Sequence, residues 1–339
     1  MAVTNGIASP SPSTHDRAQI TGVVMYLVAA FLFAANGVLA KSAIEVGLTP
    51  LRLTELRNAG SMVLLVILVA IMRPKAFRVK KKEIGFLALY GVIAFTMVQF
   101  LYFFTISLLP VGVGTLLAFL APIVVALYLK YVKKKFVRNR IWLAILLTLI
   151  GLALVAQVWL GGLLNPLGVA SGLVLAVVLA LYWILGESGQ THRDALSLTM
   201  WGFIFSTLTW SIIAPWWSFP FDVLLRSAAP MQPGWPGIPV WLIMTFGVIF
   251  GTVTPFLLVL GSLRRIGAAR SGIIGTTEPI WAAILAMAFL GEAFTTIQGI
   301  GGLIVIAGIL VAETSRTVHI TVGELPLIEE ESVDEEHQR

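Results

Sequence analysis

The chain has 339 residues, of which 58% are hydrophobic and 12% are charged, and its mean hydropathy is +0.93. A soluble domain carries about twice that share of charged residues, so the composition excludes an ordinary soluble protein. The net charge of +6 does not indicate nucleic-acid binding, because lysine and arginine are concentrated in short segments between apolar runs. Since the chain has no cysteine, disulfides and thiolate metal sites are excluded.

Apolar runs of roughly 20 residues follow one another along the chain, and each is long enough to cross a bilayer as an α-helix. The alternating segments of about ten residues that a β-barrel needs are missing. We therefore predict an all-α polytopic membrane protein with ten transmembrane helices. The predicted spans are 19–43, 49–72, 84–107, 112–131, 139–159, 167–189, 195–216, 239–262, 267–290 and 294–314.

The polar ends of the chain, residues 1–18 and 315–339, are predicted to be disordered tails, and the second of them is acidic. The first has no basic segment and no small-residue cleavage site, so we do not expect a cleaved signal peptide. Basic residues lie between spans two and three, four and five, and eight and nine, whereas the loops 108–111 and 158–166 carry no charge. The positive-inside rule then places both tails in the cytoplasm, with the spans in the plasma membrane (the inner membrane of a bacterium).

The longest predicted outer connection is residues 217–238. Trp216, Trp217 and Trp235 flank it or lie within it. Tryptophan is enriched at membrane–water interfaces, so we interpret these three residues as interfacial anchors.

The two halves of the chain are similar to each other. Pro122 matches Pro279, and Gly151 matches Gly308 at the same separation without a gap, while a looser match pairs Lys41 with Glu187. The predicted repeats are 19–159 and 167–314, each with five spans. Because five is odd, the second repeat enters the membrane from the opposite side, which is the inverted architecture of many carriers with a central cavity.

Pro122 and Pro279 each interrupt a small-residue-rich apolar segment. Proline removes one helical hydrogen bond, and in hydrocarbon the freed carbonyl needs another partner beside a helix or a cavity. Paired interruptions of this kind indicate the substrate site of a transporter, so we predict that both prolines act as hinges. The polar residues Thr276, Thr277 and Glu278 precede the second proline alone.

Glu278 is the clearest ionisable residue deep within a predicted span. A charge there costs roughly 2.5–3.5 kcal/mol on insertion scales, so the side chain should face protein or water. It would contact a substrate amine, carry a proton, or form a structural pair. For the other deep charge, Arg57, a structural pair with Glu55 or with a neighbouring helix is favoured over substrate contact. Lys41 and Glu187 are interpreted as anchors at helix ends.

Aromatic residues with a few polar groups recur on the predicted central helices, which is the expected lining of a site for amphipathic small molecules. The alternatives are lipid-facing aromatic residues, close packing around the threonines, and helix–helix hydrogen bonding by Asn36. The predicted cavity residues are Asn36, Gln99, Tyr102, Phe103, Phe119, Tyr182, Trp183, Thr276, Thr277, Glu278 and Trp281.

Signals of catalysis are missing from the sequence. The histidines lie in the tails or a loop, every aspartate lies outside the predicted spans, and no phosphate-binding loop is present. We predict no catalytic residues, no metal and no cofactor.

Residues 258–279, followed by Leu290-Gly291-Glu292, resemble the EamA-like exporters of the drug/metabolite transporter superfamily. The second repeat of these proteins typically ends in a Glu-Pro helix followed by Leu-Gly-Glu. In the first half Ala121-Pro122 replaces Glu-Pro, and Lys134-Lys135 stand in place of Leu-Gly-Glu. The resemblance implies ten helices in two inverted repeats around a central cavity, and outward movement of small metabolites. The overall pattern is nearest to bacterial exporters of amino acids and related metabolites.

The leading hypothesis is a monomeric secondary transporter that exports amino acids, including aromatic and hydrophobic ones, by alternating access. Its partners would be the lipid bilayer, a small-molecule substrate and, as an open question, protons as the coupling ion. The alternatives are efflux of drugs or cationic compounds, and an uncoupled metabolite facilitator. A sugar-nucleotide carrier is disfavoured because the deep spans offer only Arg57 to meet phosphate, and a receptor, scaffold or membrane enzyme is disfavoured by the repeat and the missing catalytic clusters.

Overall fold

The computed structural model describes residues 14–134, 139–156, 164–190, 193–228, 236–293 and 295–314, and these are mostly helical. The α-helices are α1 (Thr14–Glu45), α2 (Pro50–Met72), α3 (Lys81–Gly91), α4 (Val98–Leu108), α5 (Val111–Ala118), α6 (Ala121–Tyr131), α7 (Arg140–Ala156), α8 (Pro166–Gln190), α9 (Ala195–Ile213), α10 (Phe221–Leu225), α11 (Val240–Val248), α12 (Thr254–Gly275), α13 (Thr277–Leu290) and α14 (Thr296–Thr314). Two π-helical turns (Val92–Met97 and Ile249–Val253), two 3₁₀ turns (Pro74–Phe77 and Trp216–Ser218) and the antiparallel strands β1 (Ser227–Ala228) and β2 (Ile238–Pro239) complete the secondary structure of the described residues.

Seven helical segments of the described chain are long and apolar enough to cross a membrane. They are Ala18–Glu45, Pro50–Met72, Lys81–Leu108, Val111–Tyr131, Pro166–Gly186, Ala195–Ile213 and Val240–Val259. Three shorter apolar helices are Arg140–Val155, Thr277–Leu290 and Thr296–Ala312. Each predicted span overlaps one of these segments, so the membrane class is confirmed.

Two boundaries differ from the prediction. Helix α1 begins at Thr14, within the predicted tail, because helical hydrogen bonding continues beyond the apolar stretch that begins at Ala18. Helix α12 is helical to Gly275, across the predicted loop between spans eight and nine. Contacts nevertheless first approach the start of α1 and then return along it: the successive pairs are Phe256 with Phe33, Gly261 with Met25, Gly275 with Tyr26 and Trp281 with Phe31.

The two helices interrupted by proline end at matching positions. Helix α5 ends at Ala118 and α12 ends at Gly275, each four residues before its proline. In a continuous helix, the proline ring clashes with the carbonyl of the residue four positions earlier, which is Ala118 for Pro122 and Gly275 for Pro279. Pro122 and Pro279 themselves lie in the first turns of α6 and α13, where the missing N–H has no cost. The breaks therefore precede the prolines by one turn.

The two π-helical turns also lie at matching positions of the two halves, and each is closed by a threonine. Thr96 Oγ1 donates to the carbonyl of Gly91 at 3.5 Å, and Thr252 Oγ1 donates to that of Gly247 at 3.0 Å. A π-helical turn disturbs the regular hydrogen bonds of a helix, and a hydroxyl five residues on supplies a replacement where water is scarce.

Helices α7 and α14 pack backbone to backbone. A Cβ added at Gly151 would lie 2.7 Å from the carbonyl oxygen of Gly301, and one added at Gly308 would lie 2.9 Å from that of Ala144. The early part of α7 thus meets the late part of α14, so the two helices are antiparallel. Small residues permit this approach, which is the usual basis of close helix pairs in membranes.

Different polar contacts hold the helices together at the two ends of the molecule. Near the end of α2, Glu83 pairs with Arg193 at 2.8 Å and Arg73 pairs with Asp194 at 3.3 Å, which holds the α2–α3 and α8–α9 connections together. Near the start of α2, at the opposite end, Arg52 donates to the carbonyl of Ala214 at 3.1 Å.

The described first part of the predicted outer connection, up to Ala228, folds as a cap over neighbouring helix ends. Phe219 and Val223 are buried against the ends of α1 and α2, because this stretch carries apolar residues that cover those helix ends. Trp216 is partly buried and donates to Ser211 Oγ at 3.2 Å, so it is not simply an interfacial anchor. Trp217 is 88% exposed, as such an anchor requires, and Trp235 lies outside the described residues.

A central cavity as the candidate substrate site

A cavity of about 480 Å³ lies between the two halves of the molecule. Its lining combines side chains of α1, α2, α4 and α5 with side chains of α8, the second π-helical turn, α12 and α13. The volume is near the lower end of the range of about 300–1,000 Å³ that is typical of ligand pockets. The site therefore suits a small molecule.

Eight of the predicted residues line this cavity, and the three others do not. The eight are Asn36, Gln99, Tyr102, Phe103, Phe119, Tyr182, Trp183 and Glu278. Thr276 is buried outside the lining, and Thr277 Oγ1 donates to the carbonyl of Ile274 at 2.7 Å. Trp281 is 36% exposed and packs edge-to-face on Phe31 with ring centroids 5.5 Å apart. Around the first turn of α13, the helical rotation brings Glu278 to the cavity and directs these neighbours elsewhere.

Arg57 is the main lining residue that the sequence did not assign to the site. It is 4% exposed, and its guanidinium lies 4.9 Å from the ring of Phe103. It donates to Asn36 Oδ1, to Thr252 Oγ1 and, at 3.2 Å, to the carbonyl of Gly251. Of the two structural partners predicted for Arg57, Glu55 pairs with Arg52 at 2.7 Å instead, while the contacts with Asn36, Gly251 and Thr252 are with neighbouring helices. No sequence spacing could reveal these contacts, because Arg57 and Gly251 are 194 residues apart.

Asn58, the next residue of α2, contacts the other π-helical turn. Its side-chain amide donates to the carbonyl of Phe95 at 3.0 Å and to Ser206 Oγ at 2.7 Å, and Ser206 is hydrogen-bonded to Thr96 at 2.8 Å. Consecutive residues of α2 therefore bind the two matching turns, but only Arg57 reaches the cavity.

The remaining lining is mostly aromatic with scattered hydroxyl groups. Tyr102 is hydrogen-bonded to Thr115 at 3.3 Å. Further lining residues beyond the predicted set include Tyr26, Phe33, Tyr90, Phe95, Thr115, Thr199, Thr252 and Phe256. Such walls accept an apolar side chain and leave a few polar groups to orient a ligand.

Arg57 and Glu278 are the two charged residues in the described lining. No ion pair joins them, or joins either of them to another described residue. Two buried polar atoms of the lining are also without a hydrogen-bond partner among the described residues, namely Arg57 Nε and Gln99 Oε1. The lining thus contains one cation and one carboxyl group, together with one donor and one acceptor that have no partner among the described residues.

An ion pair joins three chain segments at the end of the molecule where α1 finishes. Lys41 Nζ donates to Glu292 Oε1 and, at 3.0 Å, to the carbonyl of Leu109. Glu292 Oε2 accepts from the N–H of Val111 at 2.9 Å. Lys41 is therefore a partner of the α4–α5 and α13–α14 corners rather than a simple boundary anchor. The side chain of Glu187 lies outside the described residues.

Gly291 explains why Glu292 reaches this position. It ends α13 in the left-handed conformation, with φ of 66°, which glycine adopts without strain. At the matching position of the first half, Lys134 has φ of 51°. The first half therefore keeps the backbone turn of the Leu-Gly-Glu segment although it lacks the glycine and the acid.

A model of the EamA-like transporter family matches residues 20–157 and again residues 166–314. The chain therefore belongs to the EamA-like transporter family. The resemblance read from the Glu-Pro and Leu-Gly-Glu segments is confirmed, and two copies of the family unit account for the internal repeat. The protein is a membrane transporter of small molecules rather than an enzyme.

Similar proteins include the threonine/homoserine exporter RhtA of Escherichia coli strain K12, with 28% identity over 306 residues that cover 88% of this chain and 92% of the relative. The uncharacterized inner membrane transporter YicL of Salmonella typhimurium strain LT2 is 24% identical over 295 residues, which cover 85% and 94%. A solved crystal structure shares the fold with a TM-score of 0.51, at 16% identity, over 89% of this chain and 97% of the other.

Proposed function

We propose that this protein is a secondary transporter that exports amino acids, including hydrophobic and aromatic ones, across the plasma membrane by alternating access. The observation that carries the proposal is the central cavity, in which one arginine and one glutamate face a small, mainly aromatic space without pairing with each other. An amino acid carries both complementary charges together with a side chain for the aromatic walls. The similarity to an exporter named for threonine and homoserine supports the same substrate class.

The proposed architecture has ten transmembrane helices in two inverted repeats, with the three shorter apolar helices also crossing the bilayer. Matching helix breaks and matching π-helical turns support the repeat. The antiparallel packing of α7 against α14 supports the inversion of the repeat. The contact of Gly151 with Gly301 is equivalent, under exchange of the two halves, to the contact of Gly308 with Ala144. The repeats would be 19–159 and 167–314, with tails 1–18 and 315–339.

The proposed orientation places the end that carries Arg73, Glu83 and Arg193 in the cytoplasm, because lysine and arginine are enriched in cytoplasmic loops. Both termini would then be cytoplasmic. We further propose that the transporter works as a monomer, since its cavity is built from the two halves of one chain.

Transport by the purified protein in liposomes tests the proposed function. Vesicles with and without protein would be loaded with radiolabelled threonine, homoserine, leucine, methionine or phenylalanine, and efflux would be measured with and without a pH gradient. We expect efflux above that of empty vesicles for at least one amino acid. Efflux equal to that of empty vesicles across the panel would overturn the proposal. Efflux at the same rate with and without the pH gradient would identify an uncoupled facilitator.

Efflux of cationic compounds is the second candidate, because Glu278 lies in an aromatic cavity. Aromatic faces and one carboxylate suit an organic cation. The buried Arg57 in the same lining would repel such a ligand, so amino acids remain the preferred class. If tetraphenylphosphonium is transported and no amino acid competes with it, the result would favour the efflux of cationic compounds.

A further inference from the structure

We infer that Arg57 and Glu278 form the two ends of one zwitterion site, in which Arg57 binds the substrate carboxylate while Glu278, together with Gln99, binds the ammonium group. The substrates would then be free amino acids with both groups unblocked. This inference rests on the proposed transport function and assigns specificity-determining residues to it.

The charge of Arg57 is not neutralised by its partners in the described structure. Asn36, Gly251 and Thr252 all offer neutral oxygen atoms. Lys41, by contrast, is paired with a carboxylate, that of Glu292. A buried cation without a counter-ion is costly, so an anion that enters the cavity relieves part of this cost.

The partners of Arg57 also fix its orientation. Thr252 Oγ1 donates its own proton to the carbonyl of Gly247, which leaves its lone pairs to accept from Arg57. With the terminal nitrogens held and Phe103 beside the guanidinium, Nε keeps a donor that no described group uses. A carboxylate ligand would therefore meet a guanidinium group whose orientation is already fixed.

The acceptors for an ammonium group lie in the same lining. Glu278 is provided by the first turn of α13 in the second repeat, and Gln99 by α4 in the first repeat. Gln99 Oε1 is buried and has no partner among the described residues. An ammonium group has three donors, so a carboxylate and an amide oxygen can bind it together.

The two charges also exclude other ligand classes. A phosphorylated compound would need more than the single cation that the described lining contains. A simple organic cation would leave Arg57 without an anion, and a simple organic anion would face Glu278. A molecule that carries one charge of each sign satisfies both residues.

The test compares the amino acid that the liposome panel transports fastest with its primary amide and its N-acetyl derivative. The amide lacks the carboxylate and the N-acetyl derivative lacks the ammonium group, while the side chain is unchanged. Binding to the purified wild-type protein would be measured as a change in tryptophan fluorescence, and transport as competition in liposomes. We expect each blocked compound to bind about 10- to 100-fold more weakly than the free amino acid.

Variants assign each charge to its residue. In Arg57→Gln we expect the free amino acid to bind about 10- to 100-fold more weakly, so that it no longer binds better than the amide. In Glu278→Gln the preference over the N-acetyl derivative should be lost in the same way. Arg57→Lys keeps the charge and should retain the preference for a carboxylate at lower affinity. Asn58→Ala is the matched control: it removes a buried polar contact of α2 outside the cavity and should preserve both preferences.

Equal binding of all three compounds by the wild-type protein would overturn the inference and leave the proposed function intact. Equal loss of all three in the Arg57 and Glu278 variants would show a purely structural role and would also overturn it. Absence of transport across the whole panel would instead remove the proposed function. If the variants fail to fold, the wild-type comparison of the three compounds decides alone.

Discussion

Gly251 shows how little space surrounds the partners of Arg57. A Cβ at this position would lie 2.8 Å from the Cβ of Asn36, so Gly251→Ala must displace the side chain that holds the guanidinium. Overpacking of this kind costs about 1–3 kcal/mol, and we expect transport to fall about tenfold or more. The initial rate of amino-acid efflux from liposomes is the measurement.

The matched control is Gly299→Ala, because a Cβ there meets no atom within 4 Å. The control should transport normally, since alanine is favoured over glycine within a helix by about 0.5–1 kcal/mol. Normal transport by Gly251→Ala would show that Asn36 does not need its present position.

Glu278 is the one residue of the described lining that has a carboxyl group, which is the kind of group that can accept and release a coupling proton. If it carries the coupling proton, Glu278→Gln should transport at a rate that no longer varies with pH at saturating substrate. Efflux between pH 5.5 and 8.5 measures this effect. Glu83→Gln, which alters a carboxylate bound to Arg193 outside the cavity, should keep the wild-type profile. A pH profile that Glu278→Gln leaves unchanged would exclude this residue as an obligatory proton carrier.

At the level of single residues, the sequence indicated which kinds of side chain line the cavity, but it did not indicate which residues these side chains contact. Glu278, Tyr102 and Gln99 could be assigned to the lining because polar groups are rare in apolar spans. The role of Arg57 could not be assigned, because its partners belong to a turn that is distant in the sequence. Trp281 was placed in the cavity wrongly, since sequence spacing near a helix break does not determine which way the next helix is rotated.

The pair of Lys41 and Glu292 connects α1 with two helix corners, so it should matter to transport in a way that surface ion pairs do not. Reversal of one charge, in Lys41→Glu or Glu292→Lys, leaves two like charges in contact and should reduce efflux at least tenfold if each costs about 1.4 kcal/mol or more. The double reversal should restore part of the rate. Efflux from liposomes measures all three variants.

The exposed pair of Asp222 and Arg226, 2.7 Å apart, serves as the control. Surface ion pairs contribute about 0–1 kcal/mol, so its reversal should leave transport near the wild-type rate. If the double reversal at Lys41 and Glu292 recovers nothing, the hydrogen bonds to Leu109 and Val111, rather than the pair, hold the corners together.

At the level of helices, the breaks were predicted and the π-helical turns were not. A proline in an apolar segment predicts a helix break, and α5 and α12 each end four residues before their proline, at the carbonyl with which its ring would clash. A π-helical turn has no such marker, because Thr96 and Thr252 become informative only once their bonds to Gly91 and Gly247 are known. The folded cap at 214–228 was missed for a similar reason: its burial depends on contacts with α1 and α2.

The proposed orientation of the whole molecule can be tested directly because the chain contains no cysteine. A single cysteine at Phe221, which is 58% exposed, should react with an impermeant maleimide in intact cells. One at Lys82, at the exposed start of α3, should react only after the membrane is permeabilised. The opposite pattern would invert the orientation, and equal reaction at both sites would place them on the same side.

The fold class was predictable from the sequence because apolar runs and basic loops are properties of composition, which need no tertiary contacts.

The contacts between α7 and α14 have the form of an isologous interface, since Gly151 meets Gly301 as Gly308 meets Ala144. Such a surface is self-complementary and needs no covalent link between its two sides. We therefore expect two separate polypeptides, cut between residues 157 and 166 and produced in one cell, to assemble and to be purified together through a tag on either piece. Gly151→Leu should weaken this assembly, because a leucine side chain does not fit between the two backbones. The covalent link between the two proposed five-helix halves would then serve mainly to produce them in equal number.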